Sequence, residues 1–403
     1  MSAVPLVDDA ERRARTGRRH GIAPAHRLPD AVAAVRAMTV LHATEPATVH
    51  LSLHARVDGL TNADVDHELE TTRALVKQLA MRRTLFVFPR DLLPAAWGSA
   101  SARVLAAERN RIAKEVVALG IAADGHAWLD RVRARVLDLL AEAPEGLTAV
   151  ELRPLVPELA TPEVLEAGAG QLASRVLTNL GLSAHLVRGV NTQHWRLSRP
   201  RWTLMDRWLG EVPAPTDEAA GYAVLVDRWL RTFGPGTEAD LVWWLGATKG
   251  AVRRALADVA AAPVALEGGA TGWVAADDPV LAGERTEVAP WAALLPVLDP
   301  TVMGWRERDF HLGAHQPVLF DRNGNAGTTA WWDGRVVGCW TQDPDGAVAV
   351  RPVVPLPPEA AAALRVEAAR LTTWLAGQRV GTVYPSPAMR ADEADCPYPV
   401  LRA

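Results

Sequence analysis

Two cysteines, Cys339 and Cys396, are all that 403 residues contain. They are too few for a disulfide framework or for a four-cysteine zinc or iron–sulfur site, and they suit a reducing, cytoplasmic setting. Lysine is almost missing as well: Lys77, Lys114 and Lys249 are the only three, so the basic side of the composition is arginine. With abundant Ala and Val, that bias is what a GC-rich coding background leaves. No apolar run approaches the roughly 18 residues of a membrane span. The first residues, MSAVPLVDDAERRARTGRRH, lack the apolar core of a signal peptide, so neither membrane insertion nor secretion is expected. There is no Walker A motif, no GxGxxG fingerprint and no GxSxG elbow; the loop DRNGNAG, with Gly324 and Gly327, reads as a turn. His50 and His54 stand four apart without the glutamate of HExxH or a third ligand nearby, so they read as solvated surface histidines. Neither metal nor cofactor is expected.

What remains is a folded chain. Hydrophobic residues make up 49% and charged residues 22%, the balance of a globular protein, and the length calls for two to four modules. A net charge of −4 gives no global nucleic-acid signature, so any DNA-binding surface must be a local basic patch.

The apolar set Val32, Val35, Met38 and Leu41 predicts a helix from Asp30, its N-cap, to about His42–Thr44, where Pro46 stops it. Val49–Val57 alternates strictly and reads locally as a strand. Residues 62–80 read as helix, 83–88 as strand and 91–119 as a long helix. A second unit follows: a helix from His126, a short helix capped by Thr148, a third helix over 167–180, then strands at 182–188 and 192–197. Helix, short helix, helix, hairpin is the order of a winged helix-turn-helix. It recurs at once in 217–232, the segment capped by Thr237, 248–259, and strands at 264–266 and 272–275 around Gly268-Gly269. Two consecutive copies strengthen the reading. Beyond Pro279 the texture turns to short apolar runs between Gly, Asp, Asn and Pro. TTAWW-DG-RVVGCW reads as a two-residue hairpin, and a helix is expected at 358–377.

Positive charge is densest after the second unit's third helix. Arg188, Arg196, Arg199, Arg201 and Arg207 fall in 181–209 with one acid, Asp206. Trp195, Trp202 and Trp208 are interleaved and read as core. A basic wing can grip phosphates beside a groove; the alternative is a solvated face. Lys249, Arg253 and Arg254 on the next recognition-like helix give a weaker signal of the same kind.

Three stretches carry a family resemblance. VLHATEPATVHLSLHARV resembles the GLQAQDPxxAxLxLxAR region of the YcaQ/AlkZ-type winged-helix DNA glycosylases. LLPVLDPTVMGWRERDF with DGRVVGCW resembles their LLPxFDPxxxGxRxR and DGRVVGxW pattern. MRRTLFVFP resembles their MRGTLHLVP, departing at Arg83 and Phe86. The resemblance spans about residues 30–380. It implies an α+β chain of three winged-helix units (30–120, 121–210, 211–280) after an N-terminal basic segment (1–29), with a β-rich, barrel-like domain over 281–403. It implies a helix, not a strand, at 49–57. It implies a monomer acting on duplex DNA and excising bulky, cationic N-alkylated purines or crosslinks without a cofactor. The family's catalytic Gln-x-Gln or Gln-x-Asp falls on His42 and Thr44, which depart from it. His42 can replace the polar water-orienter or act as a base; Thr44 is shorter and can equally be a helix cap. The departure keeps open a non-catalytic DNA-binding protein or a transcription regulator on the same scaffold.

Overall fold

Helices begin where the sequence supplies caps. In the computed structural model, which describes residues 4–159 and 172–402, Asp30 accepts from the Ala33 amide to open Ala31–Ala37. Thr148 and Thr237 each close a reciprocal capping box, with Glu151 and Asp240, and Thr248 caps Lys249–Asp258. Each such cap satisfies amides that the first helical turn leaves orphaned. No helix among the described residues is long and apolar enough to cross a membrane.

The fold is mixed α+β, and the chain divides into two compact units, 66–225 and 1–65 with 226–403. In the first, antiparallel strands Leu75–Leu79 and Leu85–Pro89 precede helical segments over 93–118. Helix Gly125–Ala141, the short Ala149–Leu152, helix Leu172–Leu182 and the hairpin Leu186–Asn191/Pro200–Leu204 follow. Ile112, Trp128, Val132, Leu152, Val176 and Trp202 share its core. Part of the helix expected over 167–180 lies outside the described residues.

In the other unit, helix Glu238–Leu245, helix Lys249–Asp258 and the hairpin Ala262–Leu266/Thr271–Val274 repeat that order. A two-residue strand, Leu6–Val7, pairs in parallel with Ala265–Leu266. Five antiparallel strands form a second sheet in the order 401–402, 348–352, 335–342, 329–332, 292–295. Its hairpin turns on Asp333 and Gly334, both at positive φ, as a two-residue turn of this hand requires. The order is linear and the end strands do not pair, so the barrel-like expectation is corrected to an open sheet among the described residues. Within the region expected to be β-rich, Gln316–Leu319 is a short helix. Helix Pro358–Leu375 is where the sequence places it.

Other departures have local causes. The helix from Asp30 stops at Ala37 because Thr39 takes positive φ, and Leu41–His42 is extended. Residues 62–80 are helical only to Thr71; Arg73 at positive φ ends the run and releases Leu75–Leu79 into the sheet. Thr192–Leu197 is not a strand. Asn191 donates to the carbonyls of Gln193 and Leu197 and accepts from the Arg199 amide, folding that stretch into a closed tip.

The alternating segment at 49–57 is a helix, Pro46–His54, buried on every side. Its polar residues face interior partners, so their alternation says nothing about solvent. Ser52 donates to Asp299 at 2.6 Å. His54 stacks on Trp374 and meets Arg370 at 3.0 Å; His50 is buried too, so neither is the surface histidine expected. Just beyond this helix, Arg56 and Asp299, both 0% exposed, form a bidentate pair at 2.7 and 2.9 Å. Arg56 also donates to the Ser52 carbonyl and Thr301. His20 bonds Thr301 with one ring nitrogen and the Thr232 carbonyl with the other. Thr232 in turn donates to Ala37 O and meets Thr39 Oγ1.

Two predictions follow from this interior network. Removing one member of a buried ion pair strands the other charge, so Arg56→Ala should cost about 3–5 kcal/mol in urea unfolding; a loss below about 1 kcal/mol refutes the assignment. Burial, then Arg56, holds the His20 imidazole down at about 3 from an ordinary 6.5. The unfolded chain therefore binds a proton that the folded chain refuses. That stability is complete above pH 6.5 and is lost as pH falls toward 3, at up to about 1.4 kcal/mol per pH unit. The pH dependence of unfolding should be shallower in His20→Asn over this window; identical slopes would exclude the histidine.

Candidate active site

The segment His42–Glu45 is held from both ends. Upstream, Thr232 holds the Ala37–Thr39 turn. Downstream, Pro46 opens the helix after Glu45, whose Oε1 accepts from the Val383 amide at 2.8 Å and Thr382 Oγ1 at 3.1 Å. Between these anchors His42 is 9% exposed, whereas Thr44 is exposed. The Thr44 amide donates to His42 Nδ1 at 3.4 Å. That bond requires the neutral tautomer protonated on Nε2. Thr44 makes no helix cap: the helix begins two residues later, and Glu45 is its flanking residue.

The arginines singled out in the sequence are not one patch. Arg199 is exposed at the hairpin tip, and Arg196 nearby directs Nε to His194 Nδ1 at 3.1 Å. Arg188 is half-buried with its guanidinium over Trp202, 5.2 Å from the ring centroid. Arg201 donates to the carbonyls of Glu145 and Gly146 and pairs with Glu151 at 3.5 Å. Arg207 donates to the Leu140 and Ala141 carbonyls, neutralising the C-terminus of helix Gly125–Ala141. Trp195, Trp202 and Trp208 are buried. In the other unit Lys249 and Arg253 are exposed on helix Lys249–Asp258, and Arg253 pairs with Glu238 at 2.7 Å.

Several arginines of the N-terminal segment are likewise occupied within the fold, on helix Asp9–Arg19, whereas Arg18 is exposed. Arg15 bridges Glu11 and Asp278, Arg19 meets Asp278 at 2.8 Å, and Arg12 lies over the Phe310 ring. No group of three His, Cys, Asp or Glu side chains able to hold a metal occurs among the described residues. Sequence reasoning missed Glu45 and the Arg56–Asp299 pair, although both lie inside the motifs that carry the resemblance.

Comparison with known proteins agrees with those motifs. The sequence profile of the family described as DNA glycosylase AlkZ-like matches residues 35–374. The fold superposes on the DNA glycosylase AlkZ of Streptomyces sahachiroi with a TM-score of 0.73 and 20% identity, over 91% of this chain and 97% of that one. No curated protein matches the sequence. Fold and motifs thus define the class as that of the DNA-repair glycosylases. Within it, the chain belongs to the DNA glycosylase AlkZ-like family.

The occupied arginines can be told from the open ones by stability. Arg207→Ala removes a C-terminal cap and should lower unfolding free energy by about 0.3–1 kcal/mol, while Arg199→Ala should leave the melting curve unchanged. Equal melting of both variants would show that Arg207 is a surface charge like any other.

Proposed function

We propose that this protein is a monofunctional, monomeric DNA glycosylase that hydrolyses the N-glycosidic bond of bulky alkylated purines or crosslinks in duplex DNA, with His42 orienting the attacking water. The observation that carries the reading is the His42–Thr44 segment, at the family's catalytic positions and anchored at both ends. In the reaction, water oxygen bonds to C1′ as the C1′–N bond breaks. The base leaves with the bonding electrons, which cancel the positive charge of an N-alkylated purine, and the added water passes its extra proton to bulk solvent. A cationic leaving group needs little push, so holding the water is the main task. The Nε2–H tautomer offers a donor, as a glutamine amide would, and this favours orientation over proton abstraction. Thr44 contributes an exposed hydroxyl beside it.

The same reading takes 30–120, 121–210 and 211–280 as winged-helix modules and 281–403 as the β-rich domain. It is supported by the recurrence of two helices, a third helix and a hairpin in 125–204 and 218–274. Phosphates are gripped by Arg196 and Arg199 at the hairpin tip and by Lys249 and Arg253 on the recognition-like helix; Arg188, over Trp202, and Arg201, held by the Glu145 and Gly146 carbonyls, back the tip without taking a phosphate themselves.

His42→Ala should slow excision of N7-methylguanine from methylated duplex by about 10²–10⁴-fold at nearly unchanged DNA affinity, and His42→Gln should retain part of the rate. Equal rates in wild type and His42→Ala would remove the catalytic role. No excision by wild type on any alkylated duplex would leave a DNA-binding protein. Binding should meanwhile lose about 0.9 in log–log salt slope for each phosphate contact removed. If Arg196→Ala with Arg199→Ala leaves the slope intact, the hairpin tip does not touch the backbone.

A further inference from the structure

Away from the hairpin tip, positive charge gathers a second time within the unit 66–225. Residues 81–114 hold six arginines and Lys114 against two acids, Asp91 and Glu108, in a chain whose net charge is −4. Two of these arginines are engaged: Arg90 donates to the Leu209 carbonyl, and Arg109 pairs with Asp130. Helix Ala102–Ala118 carries others outward. Its exposed residues Arg103, Asn110 and Lys114 fall on one face, opposite the buried Ile112 and Val116. At 1.5 Å per residue that row is about 16 Å long, the axial length of about five base pairs.

On the same helix, one buried carboxylate gathers two guanidiniums. Glu108 lies 3.6 Å from Arg83 Nε and 3.7 Å from Arg111 Nη1, at 9% side-chain exposure. Arg83 and Arg111 remain 44% and 50% exposed. The trio therefore carries a net charge of +1, and its negative member is the buried one. Two guanidiniums side by side suit a phosphodiester, whose oxygens accept from both.

Arg83 keeps its place against a backbone preference. It and Arg82 sit in the turn between strands Leu75–Leu79 and Leu85–Pro89, at φ of 59° and 54°. That left-handed region is uncommon for residues with a Cβ and open to glycine. Glycine is what the resembled motif MRGTLHLVP has where this chain has Arg83. The turn is fixed by its own backbone: Arg83 N donates to Ala80 O at 3.1 Å, and Thr84 N to Met81 O at 3.0 Å. A part-exposed contact as long as that with Glu108 contributes little to stability, so folding does not account for an arginine here. Strain retained without a gain in folding points to function.

We propose that Arg83 and Arg111, with the row Arg103, Asn110 and Lys114, form a second seat for the backbone of duplex DNA. The proposal rests on the glycosylase reading for its partner, but it requires neither a damaged base nor His42. Its contacts are to phosphate, so they hold the duplex without reading its sequence.

The measurement is fluorescence anisotropy of the full chain with a short undamaged duplex over a range of salt, beside thermal melting. Arg83→Gly relieves the backbone and should melt at or above the wild-type temperature. Its log–log salt slope should nevertheless shrink by about 0.9. Arg111→Ala, on an exposed helix face, should keep wild-type melting and lose about 0.9 as well, and the double variant about 1.8. Melting of Arg83→Gly well below wild type would make this arginine a structural residue and overturn the seat. Unchanged slopes in both variants would overturn it too, leaving a solvated face. Excision of N7-methylguanine separates the two ideas. A wild type that excises, while both variants keep its salt slope, retains the glycosylase and loses this surface. One that excises nothing, while both variants lose slope, retains the surface and loses the glycosylase.

Discussion

The buried pair of Arg56 and Asp299 is the constraint on which the unit formed by 1–65 and 226–403 depends. Two full charges at 0% exposure are costly to desolvate, and only a complete set of partners makes them tolerable. Here the set is complete on the carboxylate: Arg56 twice, Ser52 and the Thr301 amide. Burial alone would raise the Asp299 carboxyl; Arg56 outweighs it and holds it below the usual range. The pair also explains why two distant motifs belong together. The arginine ending HLSLHAR and the aspartate of LLPVLDP are one ion pair, 243 residues apart in sequence.

From that pair a chain of hydrogen bonds runs outward through Thr301, His20 and Thr232 to the turn at Ala37–Thr39. The turn delivers Leu41–His42 in extended conformation. A glycosylase site has little covalent chemistry to perform, so its accuracy comes from holding a few groups still. Neutral, buried His20 suits this task, because it bridges two elements without adding a charge that would need its own partner. Glu45 secures the far end through residues 382–383. The site segment thus has stiff supports on either side, while Thr44 between them stays exposed.

Elements with a solvent face were the more legible in the sequence, although the fully buried strand Leu85–Pro89 was also readable from its apolar and aromatic run. Capped amphipathic helices such as 125–141 and 249–258, and the hairpin turning on Asp333-Gly334, follow from local rules. The helix 46–54 did not. Its Ser52 and His54 answer to interior partners and His50 is buried with them, so a period-two pattern arose without a solvent face. Lys77 in the strand 75–79 looked helical because no local signal announces Arg73 at positive φ. At the site, residue identities were visible through the resemblance, but their support was not. Charge density also misled in part. Arg201 and Arg207 belong to carbonyls at loop and helix ends, and Arg12, Arg15 and Arg19 to the interior, so a count of arginines overstates the surface open to phosphate.

This distribution of arginines bears on how the chain can favour damaged DNA. With a net charge of −4 and many guanidiniums neutralised internally, the uniform attraction to phosphate is modest, and it weakens further as salt rises. Non-specific affinity is then low, and discrimination must arise where the chemistry differs between normal and alkylated bases. An N-alkylated purine differs in two ways: it carries positive charge and it leaves readily. On the proposed reading, a histidine donor that only orients water exploits the second. On the same reading, a normal, neutral purine would need an acid that the His42–Thr44 pair does not supply. Modest catalytic power at His42 is on this view part of the selectivity.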